Sequence, residues 1–425
     1  MDNFAAHSKS DREAMLAGIG VKNIEELFAK IPVQARVKGL NLPDAVSEMT
    51  AQKELKKLAS KNKTDYVSFI GSGAEKHFIP ACVGQIAQRF EFNTAYTPYQ
   101  PEISQGTLQM IYEYQSMICN LTGMEVANAS VYDAGEACAE ALLMSVRIAG
   151  LKKVLVSAKL NPEYKKVVET YMHAQSVEIK YFDKIEELKT LNDDFACVLG
   201  QYPDFYGEIE DFGEIKSIFA GKKTLLVVCA NIMPLAVLKP PVEYGADIVV
   251  GDVQSFGSAV NFGGPYGGYI SCLDKYKRQM AGRIIGRTLD ADGNQAFTLT
   301  LQTREQHIRR EKATSNICSN QGLVALCAAV YMTVMGKSGV KQAACLGAEN
   351  AHILADKLKA KGFKILNKNF FNEFVLEVEN SDKFIADMRK SGILAGLKID
   401  ERKVLVTATE MNTESDIDEY VDKVK

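Results

Sequence analysis

The sequence predicts an α/β domain whose mainly parallel sheet is covered on both faces, followed by a small α+β domain. From residue 154 to residue 250, short aliphatic and β-branched runs alternate with helix-patterned stretches, which is the rhythm of βαβ units. After about residue 335 the rhythm changes, and a long helical pair gives way to closely spaced strand candidates. Composition allows a large core, since 47% of the 425 residues are hydrophobic and 24% are charged.

Each element has its own signal. Up to residue 80 apolar residues recur three and four apart, as in Ile24-Glu25-Glu26-Leu27-Phe28 and residues 47–58, so 1–80 is assigned to an N-terminal helical extension, an arm or a cap. The large domain is assigned to 81–335. It opens with an amphipathic helix at 105–121, stopped by Thr122-Gly123, and an Ala- and Leu-rich helix follows at Ala134–Ala149. Strands are expected at 154–156, Glu178–Phe182, 197–199, 224–229 and 248–250. Helices are expected at Pro162–Ala174, 184–191 and 214–220. Strand runs without polar alternation suit a sheet buried on both sides. Two helices, 321–335 and 341–361, lead into the small domain, 336–425. There strands are expected at 363–366, 374–378 and 404–407, with helices at Ser381–Lys390 and 414–424.

Lys and Arg total 50 against 53 Asp and Glu, a formal charge of −3 without the basic excess of a nucleic-acid binder. No apolar run reaches the ~20 residues of a membrane helix and residues 1–30 hold no signal core, so a cytoplasmic location is expected. The nine cysteines form no C-x-x-C pair and read as reduced thiols. The five histidines have no ligand-spaced neighbours, so no metal site is expected.

Phosphate-loop, dinucleotide-loop and nucleophile-elbow motifs are absent from the sequence. Two glycine clusters remain, Gly71-Ser72-Gly73 and residues 262–268, which tight turns alone explain. Residues 89–109 form a Tyr-, Thr-, Gln- and Glu-rich loop with two prolines, a poor core and a good cleft or interface lining. Residues 303–312 are densely charged, as a solvated helix face is.

Five runs then carry a resemblance: residues 94–108 (TAYTPYQPEISQGTL), 121–130 (LTGMEVANAS), 238–250 (LKPPVEYGADIVV), 261–268 (NFGGPYGG) and 303–320 (TREQHIRREKATSNICSN). With Asp11-Arg12-Glu13, Ile19-Gly20-Val21 and Glu26-Leu27-Phe28, they resemble subunit 1, the α chain, of the two-subunit bacterial glycine decarboxylase, the P-protein of the glycine cleavage system. The likeness covers nearly the whole chain. It implies a fold-type-I architecture of the pyridoxal-phosphate (PLP) transferases, and a reaction in which glycine is decarboxylated and its aminomethyl carbon passes to the lipoyl arm of the H-protein.

The same resemblance implies that this chain does not hold the cofactor. PLP chemistry requires a lysine amine, and where the catalytic subunit has a His-Lys-Thr run after its late strand this chain has Gln254 and Ser255. Asn231 stands where an aspartate pairs with the pyridine nitrogen, and an amide cannot hold that nitrogen charged. Glu136 lies in the first turn of the helix whose N-terminus would receive the phosphate, where a carboxylate repels an anion. These four are read as degenerate cofactor positions. The chain is therefore expected to have no catalytic residue of its own and to pair with a homologous PLP-bearing β subunit, as two α and two β. Tyr96, Thr97, Tyr99, Gln100, Glu102 and Ser104, with His307, Arg309 and Arg310, are the candidates for lining the partner's active site. Tyr96 and Tyr99 would pack on ring or substrate, Thr97 and Ser104 would make polar contacts, and Arg309 or Arg310 would dock the partner. The alternative is a structural or regulatory partner that leaves the chemistry of the β subunit untouched.

Overall fold

The central strands of the seven-stranded large sheet alternate their residues between two apolar faces, both of which are covered, while the edge strand Glu178–Phe182 is largely exposed. In a computed structural model describing residues 7–37, 39–93, 95–317 and 320–424, the sheet order is Val126–Ala127, Gly268–Cys272, Ile248–Asp252, Leu225–Ala230, Cys197–Tyr202, Lys153–Ser157, Glu178–Phe182. The last five are mutually parallel, and Gly268–Cys272 runs antiparallel to both of its neighbours. Successive residues face opposite ways. Leu155, Val198, Leu226 and Val249 pack with Tyr114 and Ile118 of the Gln105–Thr122 helix and with Ala325 and Ala328 of the Gly322–Ala360 helix. Val154, Val156, Val227 and Val250 pack against Ala137, Leu142, Val168 and Met172 of the Ala134–Ala149 and Pro162–Ala174 helices. This is the expected α/β class.

The helical extension is shorter than expected. Helices Lys9–Ile19, capped by Ser8, and Glu48–Ala59, capped by Ser47, lie in a unit that ends at Thr64, and none of their residues is buried. Residues 65–80 are not helical, and Val67–Ser68 pair in parallel with Ile393–Leu394 of the C-terminal region. Phe69 is buried there with Leu354, Phe374, Val404 and Tyr420. The assignment of 65–80 to the extension is thereby corrected: Val67 and Phe69 are drawn into a core that local spacing does not reveal.

The expected helical pair is found as Gly322–Ala360, two helical segments that meet at Gly336, whose φ of 59° and ψ of 177° are not helical. Among the described residues it alone is long and apolar enough to cross a membrane, and its buried face, including Ala325, Leu326, Tyr331 and Leu354, packs into the core as in many core helices. The C-terminal sheet has the order Lys364–Ile365, Glu373–Glu377, Lys403–Thr407, Leu397–Lys398, all antiparallel. Among the described residues the eight cysteines are free thiols. Cys318, also expected to be reduced, and Thr94 of the aromatic loop lie outside the described residues.

Candidate functional site: a remodelled cavity and an exposed aromatic loop

The carboxyl ends of parallel strands are where open α/β sheets bind ligands. Here Ala230 and Asn231, at the end of Leu225–Ala230, and Gly251 and Asp252, at the end of Ile248–Asp252, line a cavity of about 40 Å³ together with Gln254 and Ser255. Three of the four positions read as degenerate thus share one cavity wall. The fourth, Glu136, stands beside it, in the first turn of the helix whose Ala134 is also in the wall. That helix start has no vacancy for an anion. Asp133 Oδ1 accepts from the Glu136 amide at 2.8 Å, and Glu136 Oε2 accepts from the Tyr132 amide at 2.7 Å. Burial raises the Glu136 carboxyl above its ordinary value. Asn231 Oδ1 accepts from the Met233 amide at 3.2 Å, and Gln254 spans the Glu75 backbone, accepting at 3.0 Å and donating at 2.9 Å.

Carboxylates surround the cavity. Glu75, Asp252 and Glu373 line it, and among the described residues no Lys, Arg or His does. Burial pushes Asp252 up to about 7, and burial with the nearby Glu75 holds Glu373 well above the usual range. Glu373 Oε1 accepts from the Ser72 amide at 2.6 Å and from Thr407 Oγ1 at 2.8 Å. A Cβ on Gly71 would lie 2.3 Å from Thr407 Oγ1 and 2.4 Å from Glu373 Oε1, so this approach requires glycine. Behind Glu75, His77 sits between two carboxylates, with Nε2 3.2 Å from Glu75 Oε2 and Nδ1 3.0 Å from Glu410 Oε2. Burial opposes its charge, but hydrogen bonds to Glu410 and Glu75 prevail and raise it to about 9. PLP, with an anionic phosphate, does not fit this wall: the lysine is replaced by Ser255, the helix start is closed by Glu136, and the lining is acidic.

The aromatic loop and the charged segment meet. Tyr99 makes an edge contact with the His307 ring at 5.5 Å between centroids, and the Arg283 guanidinium lies over the Tyr99 ring at 5.6 Å. Tyr99, Glu305, Gln306, His307 and Ile317 line a cavity of about 240 Å³. Tyr96 and Pro98 help to line another of about 470 Å³ with Asn320 and Gln321. Tyr96 is 86% exposed, Gln100 and Glu102 are exposed, and Thr97 is half-buried. Ser104 is buried at the start of the Gln105–Thr122 helix, beneath the loop. Arg309 and Arg310 are exposed and line neither cavity. The charged run forms short turns, Gln302–Arg304, Gln306–Arg309 and Arg310–Lys312, and Arg304 inside it is buried on the carbonyls of Gly282 at 2.9 Å and of Leu301 at 3.1 Å.

Sequence reasoning passed over Glu75, His77, Asp252, Glu373, Arg283 and Glu305. Gly71-Ser72-Gly73 was the one local signal near the first of them. Glu373 and Glu410 come from the C-terminal sheet region, roughly 300 residues from Glu75 along the chain, so no spacing rule reaches them.

A mainly parallel sheet covered by helices, a cavity at its strand ends and a small antiparallel domain define the class as the fold-type-I fold of the PLP-dependent enzymes. Solved structures share it at low identity: an alanine–glyoxylate aminotransferase from Nostoc sp. (14% identical, 92% of this chain and 97% of that one, TM-score 0.58) and a NifS-like protein from Rickettsia africae (13%, 84% and 98%, TM-score 0.62). Within that class the chain belongs to the glycine cleavage system P-protein family, whose model matches residues 2–424. The probable glycine dehydrogenase (decarboxylating) subunit 1 of Geobacillus thermodenitrificans is 46% identical over 442 residues, covering 100% of this chain and 99% of the relative. Its counterpart in Bacillus cereus is 45% identical with the same coverage. The crystal structure of a glycine decarboxylase (P-protein) in inhibitor-bound form is 37% identical with a TM-score of 0.92, covering 99% of both chains.

Proposed function

We propose that this chain is the α subunit of a glycine dehydrogenase (decarboxylating, aminomethyl-transferring), active only with a second, homologous subunit that holds PLP. The observation that carries the reading is the pairing of an acidic, lysine-free cavity with an exposed aromatic surface at Tyr96, Tyr99 and His307. PLP in the second subunit supplies the electron sink for decarboxylation. This chain contributes the wall. Tyr99, braced by His307 and Arg283, presents a rigid ring, and Thr97 and Gln100 present polar groups beside it. A wall of this kind orients glycine and excludes water. Arg309 and Arg310 add exposed positive charge for docking. The assembly is taken as two α and two β chains, with the lipoylated H-protein as acceptor. The unpaired cysteines suit the reducing cytoplasm.

Mixing tests this. With H-protein present, the two subunits together should exchange the carboxyl of glycine with bicarbonate, and either alone should do so poorly. Full activity from the second subunit alone, with this chain only raising its melting temperature, would establish the structural-partner reading instead.

A further inference from the structure

We propose that the cavity is a binding site for one small ammonium-class cation. Its wall has three carboxyl groups, from Glu75, Asp252 and Glu373, and among the described residues no cationic side chain. Glu75 is 2% exposed, and its Oε2 is occupied by Asn372 Nδ2 at 2.9 Å and by His77. Its Oε1, buried in the same wall, has no hydrogen-bond partner. A carboxylate oxygen withdrawn from water without a donor is costly, and its natural complement is a group that carries both N–H donors and positive charge. A cavity of about 40 Å³ has room for a small cation to reach its wall.

The surrounding charges leave a place for it. His77 is shared between Glu75 and Glu410, so that trio is negative by one when all are charged. Lys159 is engaged by Glu210 and Asp204. Asp133 adds a further negative charge on the side of Asp252, and Tyr164 donates to Asp252 Oδ2 at 3.4 Å. Asp252, raised to about 7, ionises at mildly alkaline pH, and Glu373, also raised, ionises later than a free carboxyl. Cation affinity therefore rises with pH across that range.

The full chain would be melted at about pH 8 and about pH 5.5 in ammonium chloride and, at equal concentration, in tetramethylammonium chloride, whose cation has no N–H to donate to Glu75 Oε1. A saturable, ammonium-specific rise in melting temperature at pH 8, much reduced at pH 5.5, is expected. Titration calorimetry with ammonium should give one site per chain. Glu75→Gln should weaken the apparent affinity tenfold or more, and Asp252→Asn, which leaves the His77 trio intact, should weaken it as well. Equal stabilisation by both salts, no calorimetric site in the unsubstituted chain, or ammonium affinity unchanged in both variants would overturn the proposal.

Discussion

His77 shows how one buried side chain sets the pH response of its surroundings. Its value, raised to about 9, lies above the ordinary 6.5, so its contribution to stability is complete below about 6.5 and is lost as pH climbs through 9. Asp252 and Asp204, both raised to about 7 chiefly by burial, act in the same direction, because the folded state holds protons that the unfolded chain releases near 3.8. Glu410 is lowered: burial opposes ionisation, but His77 outweighs it, so its contribution is present above 4.5 and is lost as pH falls. Thermal melting should thus give highest stability at about pH 4 to 5, a decline to about pH 7 as the two aspartates release the protons the folded state holds, and a further decline toward pH 9 as His77 does. His77→Gln should cost about 3 kcal/mol at pH 6.5, the worth of two to three pKa units, and should flatten the decline between pH 7 and 9. At Tyr99, half exposed, substitution touches little of the core. Tyr99→Ala and Thr97→Ala should leave assembly with the second subunit intact while lowering glycine–bicarbonate exchange roughly ten- to hundred-fold, the effect of about 1–3 kcal/mol at the transition state. Unchanged exchange in both would make the loop mere surface.

Among the elements, regular ones were legible and their long-range partners were not. Pro162–Ala174, Ala134–Ala149 and Ser381–Lys390 lie where the sequence predicts them because local devices fix their ends: Asn161 with Pro162, Asp133 with Gly150, and Asn380. The strands of the parallel sheet were legible because both faces are buried and their composition is nearly uniform. Other elements were missed. Gly268–Cys272 emerges from a glycine-rich run that reads as turn, and the hairpin of Ile284–Leu289 with Gln295–Thr300 was overlooked although Asp292-Gly293 is a turn signal at its tip. Of the candidate site, the positions marked by likeness, Asn231, Gln254 and Ser255, do line one cavity; of the carboxylates beside them, Glu75 and Glu373 come from segments far away in the chain and were not legible. Gly336 gives the element-scale test. Nothing lies within 4 Å of a Cβ added there, so Gly336→Ala should meet no clash, yet its φ of 59° with ψ of 177° is a region open to glycine almost alone. Denaturant unfolding should show a loss of about 1–3 kcal/mol, and no loss would mean that the helix straightens through this point at little cost.

At the scale of the whole molecule, a fold shared with PLP-dependent enzymes keeps a cavity at its strand ends, and in this chain that cavity is lined by Glu75, Asp252 and Glu373. On the proposed function, an acidic cavity beside a closed helix start disfavours an anion, which leaves the cofactor to the second subunit's cavity. That division predicts a stoichiometry: the reconstituted complex should bind one PLP for each second subunit and none for each copy of this chain, measured by cofactor release and absorbance. It also predicts how restoration fails. Ser255→Lys would place an amine in a wall that already holds Glu75, Asp252 and Glu373, with Glu75 Oε1 unpartnered. The amine would stay protonated as an ion pair there, and a protonated amine is no nucleophile. Adding Asn231→Asp and Glu136→Thr would restore a partner for the pyridine nitrogen and reopen the helix start, so the triple variant should hold PLP better than the single one. The isolated chain carrying Ser255→Lys alone should show no visible imine absorbance, and its complex should still contain one PLP per second subunit. A borohydride-reducible adduct at residue 255 in that variant, as tight as in the triple one, would mean that the carboxylate wall does not exclude the cofactor and that the loss of lysine alone silenced this subunit.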